Sequence, residues 1–216
     1  MLTSCSKGLE ETVVEEKISK SERVIQKLEA ENIKVHSDLL PNNVSEERND
    51  PITHIVIHFT SNAALNPKNP YKLEEIRQNF IDYGVSAHYL IDRQGEVYYW
   101  VPIERVAYHA GKGQLEQFPE YTDRLNHHSI GIELMGIGTK DEMEIMMENE
   151  RYDLIDISHI GYTDAQYETL NKMIDILVDQ FPEIEKNRVH IIGHDEYAPN
   201  RKTDPGSLFD WGKIGF

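Results

Sequence analysis

The run Ile55-Val56-Ile57-His58-Phe59-Thr60 constrains the fold of this chain more than any other segment. Its density of β-branched residues is typical of a buried strand, which needs neighbouring strands and covering elements. The run also contains a polar side chain, His58, directly after three β-branched residues. Taken alone, such a histidine is more often a satisfied core residue than a ligand. We expect a folded domain to begin near Ile52, with this strand inside it.

The residues that follow alternate strand and helix patterns and include a single hairpin. This alternation predicts an α/β fold, a mixed β-sheet flanked by helices. The predicted elements are a strand over 54–59, a helix from the Asn69-Pro70 N-cap to Gly84, a hairpin of 86–92 and 96–101, a strand over 129–134, a helix from the capping box at Thr163–Gln166 to about Phe181, and a short strand over 189–192.

Two segments do not follow this alternation. Residues 1–50 are polar and charged, with apolar residues at helical spacing, so we interpret them as a helical or extended anchor and spacer before a catalytic domain at 51–216. A partner-binding helix is the alternative. Residues 137–162 carry seven acids and two bases and are called the acidic insertion below. We expect a solvated flap or short helix there, with a substrate-contacting lid as the alternative.

Composition excludes several classes of protein. A formal net charge of -16 disfavours binding to nucleic acid, whose phosphates would be repelled. No run approaches the roughly 20 apolar residues of a membrane-spanning helix. The 39% apolar content is that of a globular protein. For the oligomeric state, we take a monomer as the default. A single cysteine excludes an internal disulfide.

That cysteine lies in Leu2-Thr3-Ser4-Cys5, which resembles the end of a bacterial lipoprotein signal. The basic and apolar regions that should precede such a motif are missing before Met1. We predict lipidation of Cys5, a lipid anchor to the membrane and an extracytoplasmic location. If Met1 is the true start and Cys5 is unmodified, the expected location is cytoplasmic.

The chemistry is concentrated near the C-terminus. His194 follows the last predicted strand, and Asp204 lies ten residues later before the turn residues Pro205-Gly206. Together with His58, these residues offer two imidazoles and a carboxylate from strand ends and a loop. Imidazole nitrogen favours zinc over magnesium or calcium, and three protein ligands leave a fourth position for a hydrolytic water. The pattern therefore predicts a zinc hydrolase.

Two further residues are candidates for catalysis. Alternation along Ser129–Leu134 places Glu133 on the face opposite three apolar residues, beside the small Gly131, which leaves room for a water or substrate. Glu133 is therefore a candidate general base, although a solvated strand glutamate is the ordinary alternative. Lys202, close to Asp204, is a candidate donor to an oxyanion, and a surface lysine is its alternative.

Six blocks together resemble the type 2 N-acetylmuramoyl-L-alanine amidases, zinc enzymes of bacterial cell-wall turnover that are similar to phage amidases and peptidoglycan-recognition proteins. The resemblance covers about residues 52–212 and leaves residues 1–50 and the acidic insertion unexplained. The blocks are Ile57-His58-Phe59-Thr60, Ser86-Ala87-His88-Tyr89-Leu90-Ile91-Asp92, Tyr108-His109-Ala110-Gly111, Ser129-Ile130-Gly131-Ile132-Glu133-Leu134, Gly193-His194 and Arg201-Lys202-Thr203-Asp204-Pro205-Gly206.

The resemblance implies zinc ligands at His58, His194 and Asp204, with Glu133 and Lys202 as catalytic helpers. It also implies a substrate-contacting role for the three residues His109, His88 and Arg201. The expected substrate is peptidoglycan or its muropeptides, cut between the lactyl group of N-acetylmuramic acid and L-alanine. Two alternatives stay open, a peptidoglycan-binding module without turnover and a zinc peptidase that cuts within the stem peptide.

Overall fold

A six-stranded mixed sheet forms the centre of the protein, as the strand and helix alternation predicts. The computed structural model describes residues 18–216, so Cys5 and the predicted lipid anchor lie outside the described residues. The strands in chain order are β1 (Val35–Ser37), β2 (Ser45–Glu47), β3 (His54–Thr60), β4 (Tyr89–Ile91), β5 (Val97–Tyr99), β6 (Arg105–Ala107), β7 (Ser129–Met135) and β8 (Ile191–Gly193). The helices are α1 (Lys20–Ala30), α2 (Leu73–Tyr83), α3 (Leu125–His128), α4 (Lys140–Met143), α5 (Asn149–Tyr152), α6 (Asp164–Gln180) and α7 (His194–Tyr197).

The strand order in the main sheet is β1-β5-β4-β7-β3-β8, and β2 pairs separately with β6. All neighbours in the main sheet are parallel except β4 and β5, which form the predicted hairpin. The two central strands, β3 and β7, pair in parallel over seven residues, and nearly every side chain on them is buried. Because the sheet is covered on both faces here, both strands have largely apolar sequences.

One face of the sheet packs against α6, whose buried side includes Leu170, Met173, Ile174 and Leu177. The predicted capping box is present in both halves, because the Thr163 hydroxyl accepts from Gln166 N and the Gln166 side chain accepts from Thr163 N. The alternation of β3 and β7 sends Ile57 and Ile132 to this apolar face. His58 and Glu133 therefore point to the opposite face, where the candidate site lies.

The start of α2 differs from the sequence prediction. The helix begins at Leu73 rather than at the Asn69-Pro70 pair, because the Pro70 carbonyl accepts a hydrogen bond from Asn62 N at 2.7 Å and Asn69 N bonds back to Asn66. These bonds hold the preceding segment in turns. The predicted end is confirmed, since Gly84 caps the helix in the left-handed region with φ of 64°.

The spacer interpretation is wrong for the described part of residues 1–50. Val24 and Leu28 of α1 are fully buried in the same core as α6, and β1 adds to the main sheet beside β5. Arg48, within the predicted spacer, donates to the backbone carbonyls of Ile103 and Ser129. The short polar strand β1 thus forms one edge of the main sheet, although its partner β5 lies far along the chain. The folded unit begins before residue 51.

The acidic insertion folds onto the end of β3 and is not simply solvated. It contains α4 and α5, which agrees with the expectation of short helices, and it buries Met143, Met147 and Ile155 against Phe59. Its acidic side chains remain largely exposed. Within residues 18–216, no helix has the length and apolar character required to cross a membrane.

Because the Leu28 side chain of α1 is fully buried in the core, we expect Leu28→Ala to lower the free energy of unfolding by about 2–5 kcal/mol. The exposed Gln26→Ala, on the same helix, should change it by less than about 0.5 kcal/mol. Denaturant unfolding of both variants measures the difference. Equal stabilities would restore the spacer interpretation of this helix.

Candidate metal centre

The ends of three neighbouring strands bring the candidate residues together. His58 on β3 lies directly opposite Glu133 on β7 in the parallel register. β8 pairs with β3 on its other side and ends at Gly193, so His194 enters the site as the first residue of α7. Carboxyl ends of parallel strands meet at one edge of a sheet, which explains why residues far apart in sequence converge here.

Asp204 reaches the same point from a loop. Its carbonyl accepts a hydrogen bond from Asp195 N at 2.8 Å, which ties the loop to the start of α7. The side chain is buried, as are those of His58 and His194. A buried carboxylate next to two buried imidazoles is costly unless each group has a partner.

Three donor atoms form a compact triangle at this point. His58 Nδ1 lies 2.8 Å from Asp204 Oδ2 and 3.0 Å from His194 Nδ1. His194 Nδ1 lies 3.0 Å from the same Asp204 oxygen. Two imidazole nitrogens and one carboxylate oxygen in this arrangement are a donor set that can hold a metal ion.

The hydrogen bond behind His194 tests whether a cation fits. His194 Nε2 lies 2.8 Å from the Ala110 carbonyl, which can only accept, so Nε2 carries the hydrogen. In the neutral ring, Nδ1 then directs a lone pair at the Asp204 carboxylate. Two lone pairs at this distance repel each other, and a cation between them converts the repulsion into attraction. The residues therefore fit a metal, and their nitrogen and oxygen donors suit zinc.

A second hydrogen-bonded chain lies behind His58. His58 Nε2 is 3.0 Å from His109 Nδ1, and His109 Nε2 is 3.2 Å from the Ser129 hydroxyl. Ser129 Oγ in turn donates to the Leu125 carbonyl at 2.6 Å. If His58 Nε2 donates to His109, the lone pair of His58 Nδ1 faces the candidate metal position. This series of hydrogen bonds therefore orients His58 in the way that carboxylate or carbonyl partners orient metal-bound histidines in other proteins.

The environment keeps His58 neutral. Burial, followed by the neighbouring His194, lowers the pKa of His58 to about 4. At neutral pH the ring therefore retains a lone pair for a metal. Burial alone would raise the pKa of Asp204, but the adjoining rings of His194 and His58 hold it well below its usual range.

Glu133 lies beside this triangle in an apolar setting. Its side chain is buried, and Oε2 has no hydrogen-bond partner among the described residues. Burial and then the charge of Asp204 raise the pKa of Glu133 well above its usual value, although Lys202 partly offsets the shift. A carboxyl group with a raised pKa and a free oxygen accepts a proton more readily than an ordinary glutamate.

Lys202 and Arg201 flank the triangle on the same loop. Lys202 is half-buried and near enough for its charge to lower the pKa of both His58 and Glu133. Arg201 is exposed and donates to the Ala110 carbonyl at 2.7 Å. It therefore supports the same carbonyl that orients His194, and its substrate contact stays a prediction.

The substrate-contacting role predicted for His88 is wrong. The ring is fully buried, its Nδ1 accepts from Gly131 N at 3.0 Å, and its Nε2 lies 3.2 Å from the Arg105 carbonyl. Both nitrogens are thus used to hold neighbouring strands, and no face is left for a ligand. His109 differs, because it is partly exposed and adjoins His58, so its substrate contact stays a prediction.

Sequence reasoning overlooked the residues that support the ligands. Strand alternation places Ser129 on the same face as Gly131 and Glu133, which is the side where His109 packs. A Cβ on Gly131 would lie 2.5 Å from the His109 ring, so glycine is required there for the close approach. The role of the Ala110 carbonyl has no sequence signal, because every residue carries one.

Comparison with known proteins places this geometry in a family. The family model described as N-acetylmuramoyl-L-alanine amidase matches residues 48–207. Over 130 residues the chain is 40% identical to the 1,6-anhydro-N-acetylmuramyl-L-alanine amidase AmpD of Escherichia coli, a match that covers 60% of this chain and 56% of AmpD. The AmpD of Haemophilus influenzae is 34% identical over 148 residues, covering 68% of this chain and 64% of the relative. The chain thus spans little more than half the length of the first of these relatives.

Solved structures show the same architecture. A selenomethionine derivative of AmpD superposes with a TM-score of 0.57 at 29% identity, covering 82% of this chain and 92% of that one. AmiD from E. coli, in complex with the substrate anhydro-N-acetylmuramic acid-L-Ala-D-gamma-Glu-L-Lys, gives 0.56 at 26% identity, covering 76% and 56%. These similarities agree with the mixed sheet and flanking helices described above.

If His58, His194 and Asp204 hold one zinc ion, Asp204→Ala should bind zinc at least tenfold more weakly than the wild type, because it removes the only anionic donor of the triangle. Metal analysis after dialysis against a weak chelator measures the retained zinc. His127→Ala, a half-exposed histidine outside the triangle, is the matched control and should retain zinc. Equal retention by all three proteins would place the metal elsewhere.

Glu133 should also reduce the stability of the metal-free protein. A carboxyl whose folded pKa exceeds its unfolded pKa destabilises the fold once the pH rises past the unfolded value, near 4.5 for glutamate. At pH 7 we expect Glu133→Gln to raise the free energy of unfolding by roughly 1–3 kcal/mol, since it removes a buried carboxyl with a raised pKa and an unpartnered oxygen. Denaturant unfolding at several pH values should show the gap shrinking as the pH falls. A Gln variant that is less stable at pH 7 would contradict this account.

Proposed function

The chain belongs to the N-acetylmuramoyl-L-alanine amidase family, and we propose that it hydrolyses the amide bond between the lactyl group of N-acetylmuramic acid and L-alanine in peptidoglycan or its fragments. The observation that carries the proposal is the convergence of His58, His194 and Asp204 beside the buried, unpartnered Glu133. A site that only bound muropeptides would gain nothing from a costly buried carboxylate at this point.

In this proposal the metal is zinc, held by His58, His194 and Asp204. When bound, zinc supplies a Lewis acid that activates water and polarises a carbonyl group. The hydrogen bonds that His194 donates to the Ala110 carbonyl and that His58 donates to His109 keep the two imidazoles in the required tautomers. Burial of all three ligands excludes bulk water, which strengthens every charge interaction inside the site.

Glu133 is the proton carrier of the proposed reaction. Its raised pKa and free Oε2 suit a group that takes a proton from the attacking water and then returns it to the leaving amine of L-alanine. The position on a central strand holds the carboxylate in register with His58. This rigidity favours a fixed distance between the base and the reacting carbonyl.

Lys202 would face the charge that develops on the carbonyl oxygen. Its ammonium is close to both Glu133 and His58, and it lies two residues before Asp204 on the same loop. A cation placed where negative charge develops lowers the barrier of an acyl transfer.

The names of the relatives support a muropeptide substrate. AmpD is described as an amidase of 1,6-anhydro-N-acetylmuramyl-L-alanine, and AmiD was solved with an anhydro-muramyl peptide. We infer that this chain accepts substrates of the same chemical class, a muramic acid sugar carrying a peptide stem. Neither similarity extends over the whole length of those proteins, so the form of the glycan is part of the proposal.

The test is the release of new L-alanine N-termini from purified muropeptides by the zinc-loaded protein. We expect Glu133→Ala to reduce the rate by about 10²- to 10⁴-fold, because it removes the proposed general base. Glu150→Ala, an exposed acid of the acidic insertion, is the control and should retain the rate. Unimpaired release by Glu133→Ala would refute the assigned role.

Product masses separate the alternatives. A stem peptidase would leave alanine attached to the sugar, whereas the proposed amidase frees the intact peptide from it. A binding module would retain muropeptide without forming any new amine. Either result with zinc-loaded wild-type protein would overturn the proposed amidase.

A further inference from the structure

The acidic insertion contacts the chain on both sides of the candidate metal centre. Its buried methionines pack against Phe59, the residue after His58 on β3. Its first helix, α4, contacts the loop 203–207 that carries Asp204. An exposed flap with no task at the site would not need to contact two ligand-bearing segments.

Glu142 makes the central contact with this loop. Its backbone carbonyl accepts a hydrogen bond from the Thr203 hydroxyl at 3.0 Å, and its Oε1 accepts from Ser207 N at 2.6 Å. The other carboxylate oxygen accepts from Thr139 N at 2.8 Å, which completes the capping box of α4. One side chain therefore joins the helix cap of the insertion to the loop that presents Asp204.

The space for this carboxylate is provided by glycines on both segments. A Cβ on Gly206 would lie 2.8 Å from Glu142 Oε2, and a Cβ on Gly138 would lie 2.6 Å from the same oxygen. Distances under 3.0 Å are not tolerated without a shift of atoms. The close approach of Glu142 to the loop therefore depends on the absence of side chains at these two positions.

The end of the insertion holds the loop at a third point. Tyr162 Oη donates to the Pro205 carbonyl at 2.6 Å. Residues 203, 205 and 207 are thus each bonded to the insertion, which leaves Asp204 between two held positions. The Asp204 side chain points toward His58 and His194, with which it forms the triangle of donor atoms.

We propose that Glu142 is a positioning residue for the metal centre and that the acidic insertion is the brace through which it acts on Asp204. The inference rests on the zinc site of the proposed function. Glu142 does not touch the metal or the substrate in this account. It fixes the loop so that the Asp204 carboxylate is already in place before a metal binds.

The expected effect is on metal affinity. Partners that orient metal ligands typically contribute 10- to 100-fold to affinity, because a loosened ligand must be ordered again on binding. Glu142→Ala removes both carboxylate contacts, whereas Glu142→Gln keeps the shape and one acceptor oxygen. Tyr162→Phe removes only the hydroxyl and keeps the ring within its apolar neighbours.

The experiment measures the zinc dissociation constant of the full chain by competition with a chromogenic chelator, with circular dichroism to verify that each variant is folded. We expect Glu142→Ala to raise the constant by about 10- to 100-fold, with smaller increases for Glu142→Gln and Tyr162→Phe. Glu150→Ala, which removes the same charge from an exposed position of the insertion, should leave it unchanged.

Melting temperatures of the metal-free proteins separate positioning from general stability. A positioning role requires Glu142→Ala to lose zinc affinity at a temperature where the metal-free variant is fully folded, and requires partial rescue by Glu142→Gln. Wild-type affinity in Glu142→Ala would overturn the inference while leaving the amidase proposal intact. A wild-type protein that binds no zinc would overturn both.

Discussion

The parallel pairing of β3 with β7 is the constraint on which the site depends. Seven residues of each strand pair without interruption, from His54 opposite Ser129 to Thr60 opposite Met135. This register sets His58 beside Glu133 and sends both away from the apolar face that packs on α6. A shift of one residue in either strand would move one of these side chains into the core and separate the candidate metal ligand from the candidate base.

Around this pair, the protein keeps costly polar groups buried by giving most of them a partner. The carbonyl of Ala110 satisfies His194, and the chain through His109 and Ser129 satisfies His58. Glu133 is one of the exceptions, because one of its oxygens has no partner in the described part of the chain. An unsatisfied group of this kind reduces stability, and its persistence is expected where a reaction uses it.

Several features were accessible from sequence because they depend on local chemistry. The capping box at Thr163 starts α6 wherever that helix packs, and Gly84 ends α2 because a left-handed cap favours glycine. The strand over Ser129–Leu134 was also predictable from its composition. The helical spacing within residues 1–50 agrees with α1. The packing of residues 20–47 was misjudged as a spacer, because β1 and β2 are short polar strands whose pairing partners β5 and β6 lie far along the chain. The role of His88 was also misjudged, since only packing shows that both ring nitrogens are used internally.

By itself, the sequence determined the class of fold and the set of chemical groups. Apolar periodicity specifies which segments are strands and helices, and the residue types at His58, His194 and Asp204 specify nitrogen and oxygen donors. Only the tertiary structure decided that these atoms lie 2.8–3.0 Å apart, which tautomer His194 adopts, and which segment hydrogen-bonds to the Asp204 loop. These properties depend on distances between residues that are remote along the chain, and strand register and burial set such distances rather than local preference.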